Sequence, residues 1–321
     1  MATTPFRVTT AGFWRAYAIT LRPYLFFVSG AAGLVGLAMT DLPPLAFGTA
    51  FLAFFFSYGL GQALTDVFQR DTDALSSPYR PLVRGEIAPG AVLAVSLAGL
   101  AGCALVFWAL DRRTLALAGA AVLGLATYTP LKRRFWGGPL WNAWIVALLP
   151  VIGLWCGGAS ARPGMALGAA VTTVLFTYAV FVLLGYFKDV EADRATGYDT
   201  LPVHFGRPVA LAVSAGFLLV GGLSSAGLVL LASAPLELPE RALALGLWAA
   251  GLGMLVLAHV RLLGTRRDDD AHPGIALSVR GFVALHLGEA AFLHAGLAVP
   301  GVLLLGVLEL ALAARPCKEQ V

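Results

Sequence analysis

The chain has 321 residues, of which 59% are hydrophobic and only 12% are charged, and its mean hydropathy is +0.81. A soluble domain carries about 25% charged residues, so this composition excludes a soluble enzyme and indicates a chain whose solvent is lipid. In a membrane protein the net charge of +4 reports orientation, and it does not indicate a nucleic acid partner. The cysteines, Cys103, Cys156 and Cys317, lack the spacing of a disulfide framework or a metal site. The N-terminus lacks a basic stretch before a short apolar core, so we expect no cleaved signal peptide.

Nine apolar segments are long enough to cross a bilayer as helices, which takes about 20 residues. They cover residues 14–40, 45–70, 89–110, 114–131, 139–158, 164–188, 207–233, 240–263 and 280–314. The last is long for one crossing, and Pro300 predicts either a kink there or a division into a helix and a surface segment. We therefore predict an all-α membrane protein, a bundle of about nine transmembrane helices that forms one domain over residues 1–321.

Lys and Arg residues are divided unevenly between the two sides of this predicted bundle. With the N-terminus inside, the outer face holds only six of the 22 basic residues: Arg112, Arg113, Arg162, Arg241, Arg315 and Lys318. Basic residues concentrate in cytoplasmic loops. We therefore predict a multi-pass protein of a bacterial-type inner membrane, with the loops after helices 2, 4, 6 and 8 in the cytoplasm.

Two acidic stretches end apolar segments. They run from Thr65 to Asp73 and from Lys188 to Asp193. On a continuous helix Asp66, Gln69 and Asp73 would share one face, and so would Asp189 and Asp193. Asp66 and Asp189 are 123 residues apart, with four predicted helices between them. An even number of crossings returns both stretches to one side, which predicts two four-helix repeats followed by a final helix, with the two acidic rows face to face.

Facing rows of carboxylates repel each other unless a cation lies between them. A charged side chain at the bilayer centre costs roughly 2.5–3.5 kcal/mol to insert, and less near the interface. Mg²⁺ suits such a place, because it binds through one or two carboxylates together with substrate phosphates. The alternative for either stretch alone is a solvated loop beyond the helix end.

Basic residues near the same helix ends would suit a polyanion bridged by the metal. They are Arg22, Arg80, Lys132 and Lys188. Arg22 could instead extend its side chain to the inner interface, and Lys132 could mark orientation alone.

The first acidic stretch resembles the first motif of the UbiA superfamily of intramembrane prenyltransferases, Asn-Asp-x-x-Asp-x-x-x-Asp followed by Pro-x-Arg-Pro. Asp66 and Asp73 match, Thr65 replaces the Asn, Gln69 replaces the middle Asp, and residues 78–81 match fully.

The second stretch is similar to the second motif of that family, Lys-Asp-x-x-Gly-Asp-x-x-x-Gly followed by Thr-Leu-Pro-Val. Residues 188–203 match these positions except that Ala192 replaces the first Gly. Tyr128 with Lys132 resembles the Tyr-x-Pro…Lys loop of the family, and Arg22 with Pro23 its first-helix Arg-Pro. The resemblance covers essentially the whole chain.

The resemblance implies Mg²⁺-dependent transfer of a prenyl group from an allylic isoprenyl diphosphate to a lipophilic acceptor of aromatic or quinone type, with release of diphosphate. The implied metal ligands are Asp66, Gln69, Asp73, Asp189 and Asp193. The residues implied to bind the diphosphate are Arg22, Thr65, Gln69, Arg80, Tyr128, Lys132 and Lys188. Catalysis is expected from Asp66, Asp73, Asp189, Asp193 and Lys132. Gln69 is neutral and offers a metal only its carbonyl oxygen.

An allylic cation would need a dry pocket with aromatic faces. Candidates for these faces are Phe54, Phe55, Phe56, Tyr58, Trp141 and Trp144, although an aromatic residue at such a position more often serves simple packing. Two other functions stay open. In a terpene cyclase of the same family the alkene of the substrate attacks the cation, whereas a secondary transporter would use the charges and the repeat for transport.

Three further polar groups lie outside the two motifs. We expect His204 to be a loop histidine, with a contact to phosphate as the alternative because it follows the second motif. His286 and Glu289 would share a helix face, as an acceptor contact or an internal polar pair. The run Asp268 to Asp270 is expected to be a solvated loop.

Overall fold

The computed structural model describes residues 4–158, 163–232 and 234–316. The α-helices in these ranges are α1 Ala11–Leu21, α2 Phe26–Leu37, α3 Pro44–Asp66, α4 Arg70–Ser76, α5 Pro89–Leu110, α6 Thr114–Arg134, α7 Gly138–Ala147, α8 Leu149–Trp155, α9 Met165–Gly185, α10 Val190–Ala195, α11 Leu201–Phe205, α12 Arg207–Leu231, α13 Leu238–Leu262, α14 His272–Leu293 and α15 Ala298–Ala313. Single 3₁₀ turns lie at Pro23–Leu25, Tyr186–Lys188, Asp269–Ala271 and Ala295–Leu297. The extended pairing in these ranges is limited to one isolated bridge between Phe6 and Ile87. The predicted all-α fold is confirmed.

Nine helical segments of the described chain are long and apolar enough to cross a membrane, with mean hydropathies of 1.4 to 2.2. α1 together with Pro23–Leu37 forms a further candidate, bent by 43°. Only 17% of the apolar window of α5 is buried inside the protein. Side chains this apolar and this uncovered require lipid around them. The chain is therefore a multi-pass integral membrane protein, as predicted.

The C-terminal part differs from its prediction. The segment predicted at 280–314 is two helices, α14 and α15, and they separate at His294–Leu297, whereas Pro300 lies in the first turn of α15. Arg280 of α14 pairs with Glu309 of α15 through bonds of 2.6 and 2.8 Å. This pairing makes the two helices antiparallel, so α15 returns across the bundle. Arg315 thus lies at the end where α14 begins, and its predicted place on the outer face was wrong; Arg162 and Lys318 fall outside the described residues.

The core is built around α14 and α2. Residues buried inside the protein make up 89% of the apolar window of α14, and every residue of α2 is buried. α2 also approaches α8 closely, because Gly36 faces Pro150. A Cβ on Gly36 would lie 2.1 Å from the Pro150 carbonyl oxygen, so only glycine allows this backbone contact.

The long helices begin and finish at two opposite ends of the bundle. We name the end where α3 and α9 finish, at Asp66 and Gly185, the motif end. Short helices α4 and α10 pack together there, and the hydroxyls of Thr72 and Thr196 hydrogen-bond at 2.9 Å. The two acidic stretches, 124 residues apart at this bond, therefore meet at one end of the bundle.

Candidate active site

The first acidic stretch is not a continuous helix. α3 ends at Asp66 and α4 begins at Arg70, with Gln69 as the residue before α4. The prediction that Asp66, Gln69 and Asp73 form one helical face was wrong for this reason. The break turns α4 across the motif end. This turn brings the carboxylates of Asp66 and Asp73 to the same cavity.

The second stretch is broken in the same way. α9 passes into the 3₁₀ turn Tyr186–Lys188, and Asp189 then precedes α10. Gln69 (φ −114°, ψ 17°) and Asp189 (φ −119°, ψ 10°) have nearly the same backbone conformation. Each carbonyl accepts the amide four residues later, that of Asp73 at 3.0 Å and that of Asp193 at 2.7 Å.

This local match pairs Gln69 with Asp189 and Asp73 with Asp193. It gives an offset of 120 residues, whereas the offset predicted from the sequence paired Asp66 with Asp189. Gln69 therefore stands where the second stretch has a carboxylate. The two four-helix repeats remain a prediction.

One cavity of about 920 Å³ receives side chains from both stretches. Its polar lining at the motif end, which we name the mouth, comprises Arg22, Thr65, Asp66, Gln69, Asp73, Arg80, Tyr128, Lys132, Lys188 and Asp189. These are the predicted site residues apart from Asp193. Asp193 is fully buried behind the mouth and contacts it through Lys132, whose Nζ lies 3.2 Å from the carboxylate.

Ion pairs hold the acids of the mouth. Arg22 bonds to Asp66 at 2.6 Å, and Arg80 pairs with Asp73 and lies 3.8 Å from Asp66. Lys188, Asp189 and the Lys132–Asp193 pair bring the site to four cations and four carboxylates, so the formal charge of these eight side chains is zero. A buried ion pair of this kind is tolerated because each partner offsets the desolvation of the other.

Burial disfavours the charged form of the carboxylates on the two short helices, Asp73 on α4 and Asp193 on α10. It raises the pKa of Asp73 to about 6, although Arg80 opposes the shift, and it raises the pKa of Asp193 to about 6 against the effect of Lys132. Desolvation thus disfavours the charged form of each group more than its cationic partner favours it. Additional cations would therefore stabilise these carboxylates.

Arg22 reaches the mouth from a break between α1 and the 3₁₀ turn that follows. Its φ of 52° is left-handed, and among the described residues no other non-glycine residue has a positive φ. Such a conformation costs of the order of 1 kcal/mol or more. Pro23 ends α1 at this point, and the bend directs the guanidinium of Arg22 to Asp66 instead of to the membrane surface. The alternative of extension to the interface is thus excluded.

The carboxylate oxygens of the site fit a hard divalent cation. Asp189 Oδ1 and Asp193 Oδ2 are buried and have no hydrogen-bond partner within the described chain. In the same ranges no three His, Cys, Asp or Glu side chains are gathered as a preformed metal site. This arrangement suits Mg²⁺, which takes one or two carboxylates and completes its shell with water and phosphate oxygens.

The two unusual residues of the first stretch have defined partners. The Gln69 amide donates to the Thr129 hydroxyl at 3.1 Å, which leaves its carbonyl oxygen for other contacts. The Thr65 hydroxyl donates to the Gln62 carbonyl at 2.9 Å. Thr65 therefore offers only its oxygen lone pairs to a ligand.

Several cavity residues escaped the sequence analysis because they are neutral and lie inside apolar helices. Gln62 donates to Asp66 Oδ1 at 2.8 Å, one helical turn away, a spacing that could have indicated it. Tyr186 hydrogen-bonds to Tyr128 at 2.8 Å, and Asn142 also bonds to Tyr128. No signal in the sequence indicated Tyr178, whose hydroxyl donates to Tyr58 at 3.1 Å.

Of the six predicted aromatic faces, Tyr58 lines the cavity. Phe54 is fully buried in packing, 4.4 Å from the ring of Phe107, and Trp141 donates to the backbone of Gly124. Neither ring is part of the cavity lining, so the hypothesis that Phe54 and Trp141 face a substrate cation was wrong.

Beyond the mouth the cavity is apolar and extends along α6. Its lining runs from Lys132 to Leu115, which on a helix spans about 25 Å. Leu97, Leu115 and Leu123 line it and are also 43%, 51% and 70% exposed. Other protein groups therefore leave much of the apolar lining on α5 and α6 uncovered.

A model of the UbiA prenyltransferase family matches residues 25–278, which is most of the chain. The chain belongs to the UbiA prenyltransferase family. Digeranylgeranylglyceryl phosphate synthase of Natronomonas pharaonis is 32% identical over 212 residues, 64% of this chain and 74% of that protein. Chloroplastic chlorophyll synthase of Oryza sativa subsp. japonica is 34% identical over 184 residues, 53% of this chain and 47% of that protein.

The UbiA fold is also shared with solved structures. A UbiA homologue from Archaeoglobus fulgidus, solved with GPP and Mg²⁺, superposes with a TM-score of 0.63 at 21% identity, over 86% of this chain and 99% of that one. The chain is thus a UbiA-type prenyltransferase with the family's helical architecture.

Proposed function

We propose that this enzyme transfers a prenyl group from an allylic isoprenyl diphosphate to a lipophilic acceptor and releases diphosphate, with Mg²⁺ as cofactor. The observation that carries the proposal is the convergence of both acidic stretches and four cations at the mouth of one apolar cavity. The charged mouth suits the diphosphate, and the apolar length behind it suits the prenyl chain.

The charge balance of the site, which is the mouth together with Asp193, explains the role of a metal. The four carboxylates and four cations cancel, so a diphosphate alone would bring uncompensated negative charge into a site of low dielectric. Mg²⁺ supplies the compensating charge and stabilises the leaving diphosphate. The carboxylates of Asp66, Asp73, Asp189 and Asp193 would hold it, with the Gln69 carbonyl as an auxiliary ligand.

The protein side chains change partners in this proposal. Arg22, Arg80 and Lys132 are paired with carboxylates, and these cations would become available to the diphosphate if the carboxylates held the metal. Lys188 and Tyr128 lie beside them at the mouth. These donors stabilise the negative charge that develops as the carbon–oxygen bond breaks. The apolar walls exclude water from the allylic cation.

We propose a lipophilic acceptor of aromatic or quinone type, and we propose that it enters between α5 and α6, where the apolar lining is partly uncovered. The names digeranylgeranylglyceryl phosphate synthase and chlorophyll synthase state two different products for these relatives. Glyceryl phosphate lipids and chlorophyll-type compounds are therefore the two competing acceptor classes. The excess of basic residues at the motif end supports its placement in the cytoplasm.

The test is a product analysis with purified protein, Mg²⁺ and allylic diphosphates of increasing length. Each donor is supplied alone and with aromatic, quinone-type, glyceryl phosphate and chlorophyll-type acceptors. A prenylated acceptor, formed only with Mg²⁺, is the expected result. A cyclic hydrocarbon formed from the donor alone would instead establish the terpene cyclase alternative, and no diphosphate release with any donor would refute the proposal.

A further inference from the structure

An ion pair between Arg207 and Asp268 lies beside the mouth but outside the cavity lining. Arg207 begins α12, and Asp268 precedes the 3₁₀ turn that leads into α14. Their side chains are only 14% and 16% exposed. The expectation that the run from Asp268 to Asp270 is a solvated loop is therefore wrong for Asp268.

This pair holds the backbone on both sides of Asp189. Arg207 donates to the carbonyl of Phe187 at 2.8 Å, and its guanidinium lies 5.6 Å from the centre of that ring. Asp268 accepts the amide hydrogen of Glu191 at 2.9 Å. Arg207 thus fixes Phe187, two residues before Asp189, and Asp268 fixes Glu191, two residues after it.

Asp189 depends on such support more than the other carboxylates of the site. Asp66, Asp73 and Asp193 are each held by a direct ion pair with a cavity cation. Asp189 instead keeps Oδ1 buried without a hydrogen-bond partner among the described residues. The backbone of residues 187 to 191 therefore decides where this free oxygen points.

We infer that the Arg207–Asp268 pair is a positioning device that holds Asp189 in place to receive a metal ion. The inference rests on the proposed function, because it assigns a support to one of the proposed metal ligands. Neither Arg207 nor Asp268 lines the cavity. When Asp268 is removed, Glu191 loses its tether and Arg207 loses its partner, so the Asp189 carboxylate can move away from the metal.

The test measures Mn²⁺ binding by electron paramagnetic resonance, with inorganic diphosphate as the anion and full-length protein in detergent. Loss of an outer partner of a metal ligand weakens metal binding by about 10- to 100-fold. We expect this loss for Asp268→Ala. Asp268→Asn, which keeps a side-chain oxygen for the Glu191 amide, should recover part of the affinity.

The matched control is Glu309→Ala. Glu309 forms a comparable Arg–carboxylate pair with Arg280, between α14 and α15 and away from the mouth. This variant should bind Mn²⁺ within about twofold of the wild-type protein. Should Asp268→Ala fail to fold, Arg207→Lys carries the test, because lysine keeps the charge but cannot bridge Phe187 and Asp268 as a planar guanidinium does.

The inference is overturned if Asp268→Ala and Arg207→Lys bind Mn²⁺ as the wild type does, or if Glu309→Ala loses as much affinity as they do. The first result would make the pair a staple between loops with no effect on Asp189. A wild-type protein that fails to bind Mn²⁺ with diphosphate would overturn the proposed function as well, so the two failures are distinguishable.

Discussion

Lys132 and Asp193 form the most buried ion pair of the site, and removing one partner should be far worse than removing both. Lys132 is 4% exposed and Asp193 fully buried, with their charged atoms 3.2 Å apart. The substitution Lys132→Met keeps the length of the side chain but leaves the Asp193 carboxylate buried without its cation. Breaking a buried pair in this way costs about 3–5 kcal/mol. Lys132 also lies 4.8 Å from the ring centres of Tyr186 and Tyr198, contacts that the variant loses.

The double variant Lys132→Met/Asp193→Asn removes the uncompensated charge together with its partner. Replacing a buried pair by neutral groups of similar size is often close to neutral in stability. We therefore expect the single variant Lys132→Met to unfold about 6–15 °C below the wild type, and the double variant to regain most of this loss. Thermal unfolding in detergent, followed by tryptophan fluorescence, measures both.

Activity provides the second readout of this cycle. Both variants should fail to release diphosphate, because each lacks a proposed catalytic charge. The double variant should therefore regain thermal stability without regaining activity. A double variant as unstable as Lys132→Met alone would contradict the reasoning, since the loss would then come from packing instead of from the buried charge.

Three further predictions concern single positions. Gln69→Asp places a carboxylate where the second stretch has Asp189, and one added charged contact of about 1.4 kcal/mol should lower the Mg²⁺ concentration for half-maximal diphosphate release by about tenfold. Gly36→Ala brings a Cβ against the backbone of α8 and should destabilise the protein by about 2 kcal/mol or more in thermal unfolding, whereas Gly48→Ala, with nothing within 4 Å, should not. Glu289→Ala leaves the buried ring of His286 without its 2.6 Å partner and should lower thermal stability by about 1–3 kcal/mol, while folded enzyme keeps its KM for the donor.

The membrane fold was predictable because its cause is local. Apolar runs of about 20 residues determine crossing helices whatever their neighbours do. The breaks were not predictable in the same way. The turn at Arg22 and the separation of α14 from α15 depend on tertiary contacts such as the Arg280–Glu309 pair, and these join residues that are distant in sequence.

The charged part of the site was predictable and its neutral part was not. Carboxylates and cations at apolar helix ends are conspicuous because they are costly to bury. Gln62, Asn142 and Tyr178 carry no such signal, since neutral polar groups inside helices are usually explained by local bonding. The geometry also corrected the register between the two stretches, because only backbone conformation reveals that Gln69 corresponds to Asp189.

The central claim is that both acidic stretches bind one metal–diphosphate group at the mouth of the cavity. A structure determined with Mn²⁺ and a non-hydrolysable prenyl diphosphate, with the metal located by its anomalous signal, tests it most directly. The account predicts metal within about 2.0–2.3 Å of a carboxylate oxygen of Asp189 and of one from Asp66 or Asp73, with the prenyl chain lying along α6. Metal and diphosphate held by one stretch alone, or bound away from this cavity, would contradict it.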